Sequence, residues 1–345
     1  MAAAEGITVI VTVYNDRAEL AQLLPALAAQ TVAPHEVIVV DGGSTDGTLE
    51  LLESWRESAD APVRLMVEPG VNISAGRNIG IAAAATEWVA CTDAGCRPVP
   101  GWLEAFDRAR DGRDLVTGIY TVDGENAFER ALSVALYPAA DETGDIPPTV
   151  AAWHKLFGKR MQAEFASARS MAFSKRAWEA VGGFPENVYA GEDPALSLAI
   201  MEAGFPGVLE PGAAVGWRPR ATWRANARMY RNYSRGMVRF GSRNRHYARM
   251  AAWLGAPFLV LSGGRPGRAL ALAGAGAYLS LPVRRAARRG ISPLEWWRLP
   301  LVIALKDLSQ IAGAAQGLLD EAQGKAQPTP GRRTSEYQAP SRSDG

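Results

Sequence analysis

The sequence predicts an α/β protein built on a doubly wound, mostly parallel sheet, followed by a C-terminal helical region. In the first hundred residues, short unbroken apolar runs alternate with segments of helical periodicity. This alternation is typical of strands buried on both faces and joined by crossover helices. The later part of the chain instead contains basic and apolar segments of helical character. With 345 residues, 48% of them apolar, the chain can bury a full core and carry an appendage.

The predicted elements follow one another in a regular order. Strands are expected over Ile7–Val13, Val37–Val40, Val63–Val67 and Trp88–Thr92, with helices between them over Arg17–Gln30, 48–58 and Ser74–Ala85. Further on, helices are expected over Trp102–Arg110, Arg176–Val181 and Ala195–Ala203, and strands over Ser170–Ser174 and Ala213–Trp217. The stretch 120–168, interrupted by prolines, predicts no clear element.

The segment 36–48 gives the strongest indication of a ligand site. Its apolar run ends abruptly in Asp41, two glycines and a Ser-Thr-Asp group that can cap the next helix. In an open α/β sheet, ligands bind beyond the carboxyl ends of the strands. A carboxylate beside a flexible turn suits a nucleotide, with Asp41 at a base or ribose edge. An ordinary strand-to-helix turn would contain the same residue types.

Three further groups carry charges that could act in chemistry. Asp93 follows the fourth predicted strand, where it could hold Mg²⁺ or Mn²⁺ with substrate phosphates, or simply form a turn. Glu192 and Asp193 begin a helix, where either could accept a proton from a hydroxyl or act only as a capping acid. Arg77 could contact a diphosphate, hold an acid or remain a surface charge.

Together these segments resemble the family 2 glycosyltransferases. The matching pieces are Thr12-Val-Tyr-Asn15, Asp41-Gly-Gly-Ser-Thr-Asp46, Ala75-Gly-Arg-Asn78, Thr92-Asp-Ala94, Gly182-Gly-Phe-Pro-Glu186 and Gly191-Glu-Asp193. Their order and spacing over residues 5–240 make the combination specific, although each piece alone is weak. The resemblance implies a nucleotide-diphospho-sugar transferase fold and an inverting, metal-assisted transfer of a sugar to an acceptor hydroxyl.

The resemblance also implies roles for individual residues. It assigns donor binding to Thr12, Val13, Tyr14, Asp41, Ser44, Arg77, Asp93 and Ala94. Within this set Thr12, Tyr14 and Asp41 are expected at the nucleotide base and Arg77 near the diphosphate. Asp93 is expected at the ribose and at the divalent metal ion, Mn²⁺ or Mg²⁺. Asp193 takes the role of general base, with Glu192 beside it in the catalytic pair.

The chain departs from the family pattern in three places. The family usually has an Asp-any-Asp pair where this chain has Asp93-Ala94-Gly95, so Asp93 is left as the one identifiable metal ligand. A histidine that often follows the last core strand is missing from the segment 214–219. The Gln-any-any-Arg-Trp signature of processive polymerising members is also absent, which favours transfer of a single sugar.

Two other functions compete with this interpretation. Sugar-phosphate nucleotidyltransferases share the fold, but they begin with a Gly-rich loop where this chain has Tyr14-Asn-Asp-Arg17. A non-catalytic sugar-nucleotide-binding or scaffold protein is favoured by Gly95 and the missing histidine. His35, His154 and His246 are not at equivalent places, and we expect them to be structural or exposed.

The charge distribution predicts an anionic partner for the second half of the chain. Residues 211–290 contain sixteen Arg and no Asp, Glu or Lys, so the remainder carries a net −15 within a total of +1. From Trp223 to Phe240, five arginines lie on one helical face: Arg224, Arg228, Arg231, Arg235 and Arg239. Aromatic residues lie on the opposite face. This pattern predicts a helix in an anionic membrane surface, or one packed on the catalytic core.

Two apolar runs strengthen the membrane interpretation. Met250–Ser262 and Ala269–Val283 are shorter than the roughly 20 residues of a spanning helix, which favours a re-entrant or interfacial hairpin. Full spans are the alternative if the ends of the runs extend. Trp296, Trp297 and the run 299–305 predict another amphipathic helix. Basic flanks predict a location at the cytoplasmic face of the membrane. The interleaved apolar runs argue against nucleic acid as the partner of the arginines.

These observations divide the chain into three expected parts. Residues 1–220 form the catalytic domain, 221–320 the membrane-associating helical region, and 321–345 a polar tail expected to be disordered. Cys91 and Cys96 are the only cysteines, which indicates a reducing compartment, and no signal peptide is recognisable. The expected partners are a nucleotide sugar, a glycan or lipid-linked acceptor and an anionic membrane surface, in cell-envelope or polysaccharide synthesis.

Overall fold

The structure, a computed structural model, describes residues 4–122, 124–143, 146–158, 161–188, 190–238 and 243–324. Its strands are β1 (Ala4–Val13), β2 (Glu36–Asp41), β3 (Val63–Val67), β4 (Thr86–Asp93), β5 (Cys96–Pro98), β6 (Leu115–Val122), β7 (Met171–Ser174) and β8 (Gly207–Trp217). They form one sheet in the order β3-β2-β1-β4-β7-β6-β8-β5.

Helices cover both faces of this sheet and form the C-terminal region. They are α1 (Arg17–Ala28), α2 (Thr48–Ser58), α3 (Ile73–Ala83), α4 (Trp102–Ala109), α5 (Ala127–Leu136), α6 (Pro148–Phe157), α7 (Lys175–Ala180) and α8 (Glu192–Glu202). The C-terminal helices are α9 (Trp223–Met237), α10 (Arg243–Ser262), α11 (Gly264–Arg288) and α12 (Arg298–Ala322).

The sheet is parallel in its first half and mixed in its second. Strands β1 to β4 are parallel neighbours, so Val13, Asp41 and Asp93 end at the same edge. Strand β7 then runs antiparallel to both β4 and β6, while β8 is parallel to β6 and antiparallel to β5. The predicted open α/β sheet is therefore confirmed, with more antiparallel pairing than the sequence indicated.

The stretch 120–168 contains two helices that the sequence did not predict. Its prolines flank them rather than interrupt them: α5 ends at Leu136, two residues before Pro138, and Pro148 is the first residue of α6. Proline is well tolerated there, because the N–H groups of the first helical turn have no partner within the helix. Strand β6, just before this stretch, was also missed.

Helix α9 packs on the protein, as in the second of the two expectations for it, and its contact with a membrane stays a prediction. Tyr230 is buried and its hydroxyl is 2.7 Å from that of Tyr137. On another side, the Arg235 guanidinium donates to Asp320 of α12 at 2.6 Å. Residues 239–242, including Arg239 and Phe240, lie outside the described residues. The alternative of a helix packed on the catalytic core is the one observed.

Helix α12 also takes its apolar residues into the fold. Leu299, Val302 and Ile303 are buried against α5, so this predicted amphipathic segment faces protein. A Cβ at Gly313 or Gly317 would collide with the backbone carbonyls of Arg231 and Arg235, which shows how closely α9 and α12 approach. The helix ends at Ala322, and 325–345, most of the expected disordered tail, lie outside the described residues.

Helices α10 and α11 form a hairpin with many exposed apolar side chains. Leu254, Phe258, Leu261, Leu270 and Leu272 are between 63% and 82% exposed. Arg265 and Arg268 lie near the turn that joins the two helices. Within the described ranges, no helix combines the length and the apolar character that crossing a bilayer requires.

Candidate active site

The carboxyl ends of β1 and β2 present polar atoms without partners. Asp41 is fully buried, and its Oδ1 accepts hydrogen bonds from the backbone N–H groups of Gly43 and Ser44 at 2.8 and 2.7 Å. Its Oδ2 and the hydroxyl of Thr12 are buried without a hydrogen-bond partner among the described residues. Buried polar atoms are costly unless satisfied, so both are suited to contacts with a ligand.

The two loops above these strands are tied together by Asn15. Its backbone N–H donates to the Ser44 hydroxyl at 2.8 Å, and its side-chain oxygen accepts from the Thr45 N–H at 2.8 Å. Asn15 has a φ of 49°, a left-handed conformation that asparagine tolerates better than most residues. The predicted donor residues Val13 and Ser44 thus help to build the loops, because Val13 O accepts from Gly42 N at 2.9 Å.

Tyr14 provides an exposed aromatic face beside the nucleotide loops. Its side chain is 65% exposed, and a Cβ at Gly42 would lie 3.4 Å from its ring. The ring thus packs beside Gly42, in the turn that follows Asp41. A planar base could stack on the open face of this ring.

Arg77 is the centre of the charged part of the site. It is only 2% exposed, and its guanidinium contacts Asp93 at 2.7 Å, Asp193 at 2.8 Å and Glu192 at 3.1 Å. The ring of Phe184 lies against the guanidinium, with 5.3 Å from Cζ to the ring centroid. One arginine thereby joins acids that are 100 residues apart in the sequence. Of the roles considered for Arg77, this geometry favours holding acids, while the diphosphate contact stays a prediction.

The motifs around Arg77 dock on each other through side-chain amides. Asn72 caps α3 by accepting from Ala75 N and donates to the carbonyl of Glu186 at 2.8 Å. Asn78 donates to the carbonyl of Phe184 at 2.9 Å and accepts from its backbone N–H at 2.9 Å. These bonds explain why the segments at 75–78 and 182–186 occur together: they fix the helix that carries Arg77.

Asp193 is held at the start of α8 with a perturbed pKa. It lies in the first turn of α8, and its Oδ2 accepts from the Ala168 N–H at 3.0 Å. Burial, followed by the charge of Glu192, raises the pKa of Asp193 to about 7, against the opposing effect of Arg77. A base is most effective when its pKa is close to the working pH.

The described residues do not supply a set of ligands for a metal ion. Asp93 Oδ1 is held by Arg77, Ala94 is buried, and Gly95 has no side chain. In the part of the chain that the structure covers, no cluster of three His, Cys, Asp or Glu is arranged to hold a cation. The donor set expected for Mn²⁺ or Mg²⁺, several oxygens or nitrogens, is reduced here to one carboxylate.

Two of the departures from the family pattern, the one at Gly95 and the missing histidine, lie side by side. A Cβ at Gly95 would be 3.9 Å from the indole ring of Trp217, which stands in the segment where a histidine was expected. Arg169 lies on the same indole, with its Cζ 4.5 Å from the ring centroid. Arg169 was not predicted, because its neighbours come from β6, β8 and α9 and no local motif marks it.

The fold is similar to solved nucleotide-sugar transferases of the GT-A type. A mannosyltransferase from Pyrobaculum calidifontis, solved in complex with GDP-Man and Mn²⁺, matches with a TM-score of 0.56, 20% identity, 91% of this chain and 87% of that one. TarS 1–349 from S. aureus matches with a TM-score of 0.50, 17% identity and coverages of 94% and 93%. The predicted nucleotide-diphospho-sugar transferase fold is thus confirmed.

Sequence comparison supports the resemblance to a known family. Residues 8–168 match the model of glycosyl transferase family 2. Glycosyltransferase AglE of Haloferax volcanii is 28% identical over 58% of this chain and 62% of its own length. The pre-mycofactocin glycosyltransferase of Mycobacterium tuberculosis is 27% identical over 61% of this chain and 42% of its own length. Residues 8–168 thus carry a segment similar to the family 2 glycosyltransferases, and the chain matches less than two thirds of the length of these relatives.

Proposed function

We propose that this chain transfers a single sugar from a nucleotide-diphospho-sugar donor to an acceptor hydroxyl, with inversion at the anomeric carbon. The observation that carries the proposal is the shared guanidinium of Arg77, which contacts both Asp93, at the donor edge of the sheet, and Asp193. A base and a donor site fixed to one buried arginine keep a constant distance from each other. Such fixed positioning is a large part of enzymatic rate enhancement.

The proposed donor site occupies the carboxyl ends of β1, β2 and β4. The base stacks on Tyr14, and the unpartnered Asp41 Oδ2 and Thr12 hydroxyl bind the nucleoside. Asp93 faces the ribose, since it ends the strand beside Thr12. Val13, Ser44 and Ala94 shape the loops and the floor. The mannosyltransferase neighbour was solved with GDP-Man, which supports a donor of this class without identifying the base for this chain.

The chemical step uses Asp193 as the general base, with Glu192 helping to set its pKa. The acceptor oxygen attacks the anomeric carbon on the face opposite the diphosphate and loses its proton to the Asp193 carboxylate. The bond from the anomeric carbon to the diphosphate oxygen breaks, and its electron pair leaves with the nucleoside diphosphate. One displacement of this kind inverts the anomeric centre. The absence of the polymerising signature supports transfer of one sugar.

The divalent cation stays a prediction and no step is routed through it. The neighbouring mannosyltransferase was solved with Mn²⁺, which supports metal use in that protein. In this chain the only protein ligand that the resemblance assigned is Asp93, and Arg77 already occupies one of its oxygens. When bound, such a cation supplies positive charge for the leaving diphosphate.

The exposed hairpin of α10 and α11 supports an acceptor at a membrane surface. Its apolar side chains form a patch that a soluble domain would normally bury, and arginines stand at its turn. We propose that the hairpin enters one leaflet at its cytoplasmic face and brings the catalytic cleft to a lipid-linked or membrane-proximal acceptor. Cell-envelope or polysaccharide synthesis would be the corresponding process.

A donor screen tests this function. Purified full-length protein is incubated with UDP-, GDP- and dTDP-sugars, with and without Mn²⁺, in the presence of lipid-linked and soluble acceptors. We expect release of the nucleoside diphosphate from one donor class, with acceptor-dependent product. If every donor binds without turnover, the chain is instead a non-catalytic sugar-nucleotide-binding protein, and the proposal fails.

A further inference from the structure

The charged cluster around Arg77 leaves the donor without a neutralising group. Three carboxylates, those of Asp93, Glu192 and Asp193, surround one guanidinium. A nucleotide sugar brings a diphosphate into the same cleft, and the departing diphosphate gains further negative charge. Leaving groups of this kind require a positive charge positioned before the reaction. Arg77 cannot supply it alone, because it is buried among the three acids.

The region beside Asp93, at Gly95, holds an aromatic ring and no second carboxylate or histidine among the described residues. Gly95 contributes no side chain, and Trp217 fills the neighbouring space with its indole ring 3.9 Å from the position of a Cβ at Gly95. Strand pairing fixes this arrangement, since Cys96 of β5 is the register partner of Trp217 of β8. An indole ring, which offers no lone pair to a metal ion, is therefore the neighbour of Gly95 on this side of Asp93.

A fixed guanidinium lies directly on this ring. Arg169 sits 4.5 Å from the centroid of Trp217 and 5.4 Å from that of Tyr120. It donates to the Ser167 hydroxyl at 3.0 Å and to the Tyr233 hydroxyl at 3.3 Å. Its Nε is buried and has no partner among the described residues. Stacking and two hydrogen bonds hold the group, while part of its five-donor capacity stays available.

We propose that the guanidinium of Arg169 takes the place of a divalent cation in this chain and neutralises the donor diphosphate as it leaves. This inference rests on the proposed glycosyl transfer. The acceptor oxygen bonds to the anomeric carbon and its proton goes to Asp193. The bond from the anomeric carbon to the diphosphate oxygen breaks, and its electron pair stays on the diphosphate. The planar guanidinium can bind two oxygens of such a group at once.

Two features connect Arg169 to the rest of the site. The Ala168 N–H, one residue away, donates to Asp193 at 3.0 Å, so one short segment positions both the base and the cation. Burial would lower the pKa of Arg169, but Tyr233 and then Asp93 outweigh it and keep the group charged. The link in space runs through Trp217, whose indole contacts both the Arg169 guanidinium and the position of Gly95, two residues after Asp93.

The first experiment compares transfer by the wild-type protein in EDTA and in Mn²⁺, with the donor that the screen identifies. We expect the two rates to agree within about twofold, because the positive charge belongs to the protein. The affinities for UDP, GDP and dTDP are measured by calorimetry in EDTA and in Mn²⁺. We expect them to be the same under both conditions. Loss of transfer in EDTA with full recovery in Mn²⁺ overturns the inference and leaves the proposed transfer intact.

The second experiment changes the arginine itself. Arg169→Gln should lower transfer roughly 100-fold, whereas Arg169→Lys, which keeps the charge without the planar fork, should lose about tenfold. Added Mn²⁺ should not restore Arg169→Gln. The matched control is Arg56→Gln on α2, where a surface pair with Glu53 is removed far from the cleft.

Folding and binding measurements separate a chemical role from a structural one. Thermal unfolding shows whether each variant is folded, and nucleoside diphosphate binding should weaken in Arg169→Gln but not in Arg56→Gln. A folded Arg169→Gln with wild-type transfer and binding overturns the inference. If that variant does not fold, the EDTA comparison and the roughly tenfold loss expected for Arg169→Lys decide the matter together, and wild-type transfer by Arg169→Lys overturns the inference.

Discussion

The nucleotide-binding ends of the first four strands and the acid cluster around Arg77 are built in different ways. Residues 4–93 form parallel strands whose ends carry backbone turns, and Asp41 binds its own loop within three residues. The reacting half is assembled from distant segments: Arg77 of α3 meets Asp193 of α8 across 116 positions. The donor half, at the strand ends around Asp41, is therefore built from contacts between residues close in sequence. The reacting half, around Arg77 and Asp193, depends on the tertiary fold.

Removing the arginine that joins the two halves should have the largest effect. Arg77→Gln leaves three clustered carboxylates without their counter-charge, and breaking a buried ion pair of this kind costs about 3–5 kcal/mol in the free energy of unfolding. Urea denaturation measures it, with Arg56→Gln as the exposed control, for which about 0–1 kcal/mol is expected. A loss below about 1 kcal/mol in Arg77→Gln would show that the halves are held together by other contacts.

The donor half is tested by Asp41→Asn. The substitution keeps an oxygen for the backbone N–H groups of Gly43 and Ser44 but removes the charge offered to the nucleoside. Calorimetry with UDP, GDP and dTDP should show roughly 10- to 100-fold weaker binding of the preferred nucleotide, the usual value of a hydrogen bond to a charged group. Glu50→Gln, on the exposed surface of α2, is the control. Unchanged binding would remove Asp41 from the donor site.

The C-terminal hairpin is tested by placing acids in its exposed patch. In Leu254→Asp with Phe258→Asp, two large apolar side chains no longer gain from leaving water, and binding to vesicles should fall about tenfold or more. Sedimentation with phosphatidylglycerol-containing vesicles measures it, and Val32→Asp on an exposed loop of the catalytic domain is the control. Equal sedimentation of both variants, or no binding by the wild type, contradicts the membrane assignment.

The pH dependence of transfer tests the base in the reacting half. Burial and Glu192 raise the pKa of Asp193 to about 7, so the carboxyl group is protonated and inactive below that value. At saturating donor, the rate should fall about tenfold per pH unit below pH 7 and level off above it. An activity limb near pH 4, the usual range of an exposed carboxyl, would mean that Asp193 is not the base.

The predictability of the fold from sequence follows the same division. The helix at 48–58 and the strand at 63–67 were predicted with the observed bounds, because apolar periodicity and turn residues are local signals. Helix α6 was missed because Pro148 was interpreted as a break, although it begins the helix. The partner of α9 was missed as well. Its signal was present in Gly313 and Gly317, four residues apart, which allow a close helix approach.

The candidate site could be predicted only in part for a physical reason. Asp41, Asp93, Glu192 and Asp193 stand at strand ends or helix starts, where sequence patterns are informative. The ion pairs of Arg77 with acids from two distant segments depend on which segments the fold brings together, and so does the stacking of Arg169 on Trp217. A residue that belongs to no local motif, such as Arg169 before β7, cannot be recognised as a site residue from the sequence.

The most direct test of the central claim is a single-turnover measurement with saturating donor and acceptor, comparing the wild-type protein with Asp193→Asn. The amide keeps the size of the side chain and cannot accept the acceptor proton. We expect donor binding to be unchanged and the rate of nucleoside diphosphate release to fall at least 100-fold, the lower range for general base catalysis. An Asp193→Asn protein that transfers sugar at the wild-type rate would contradict the account.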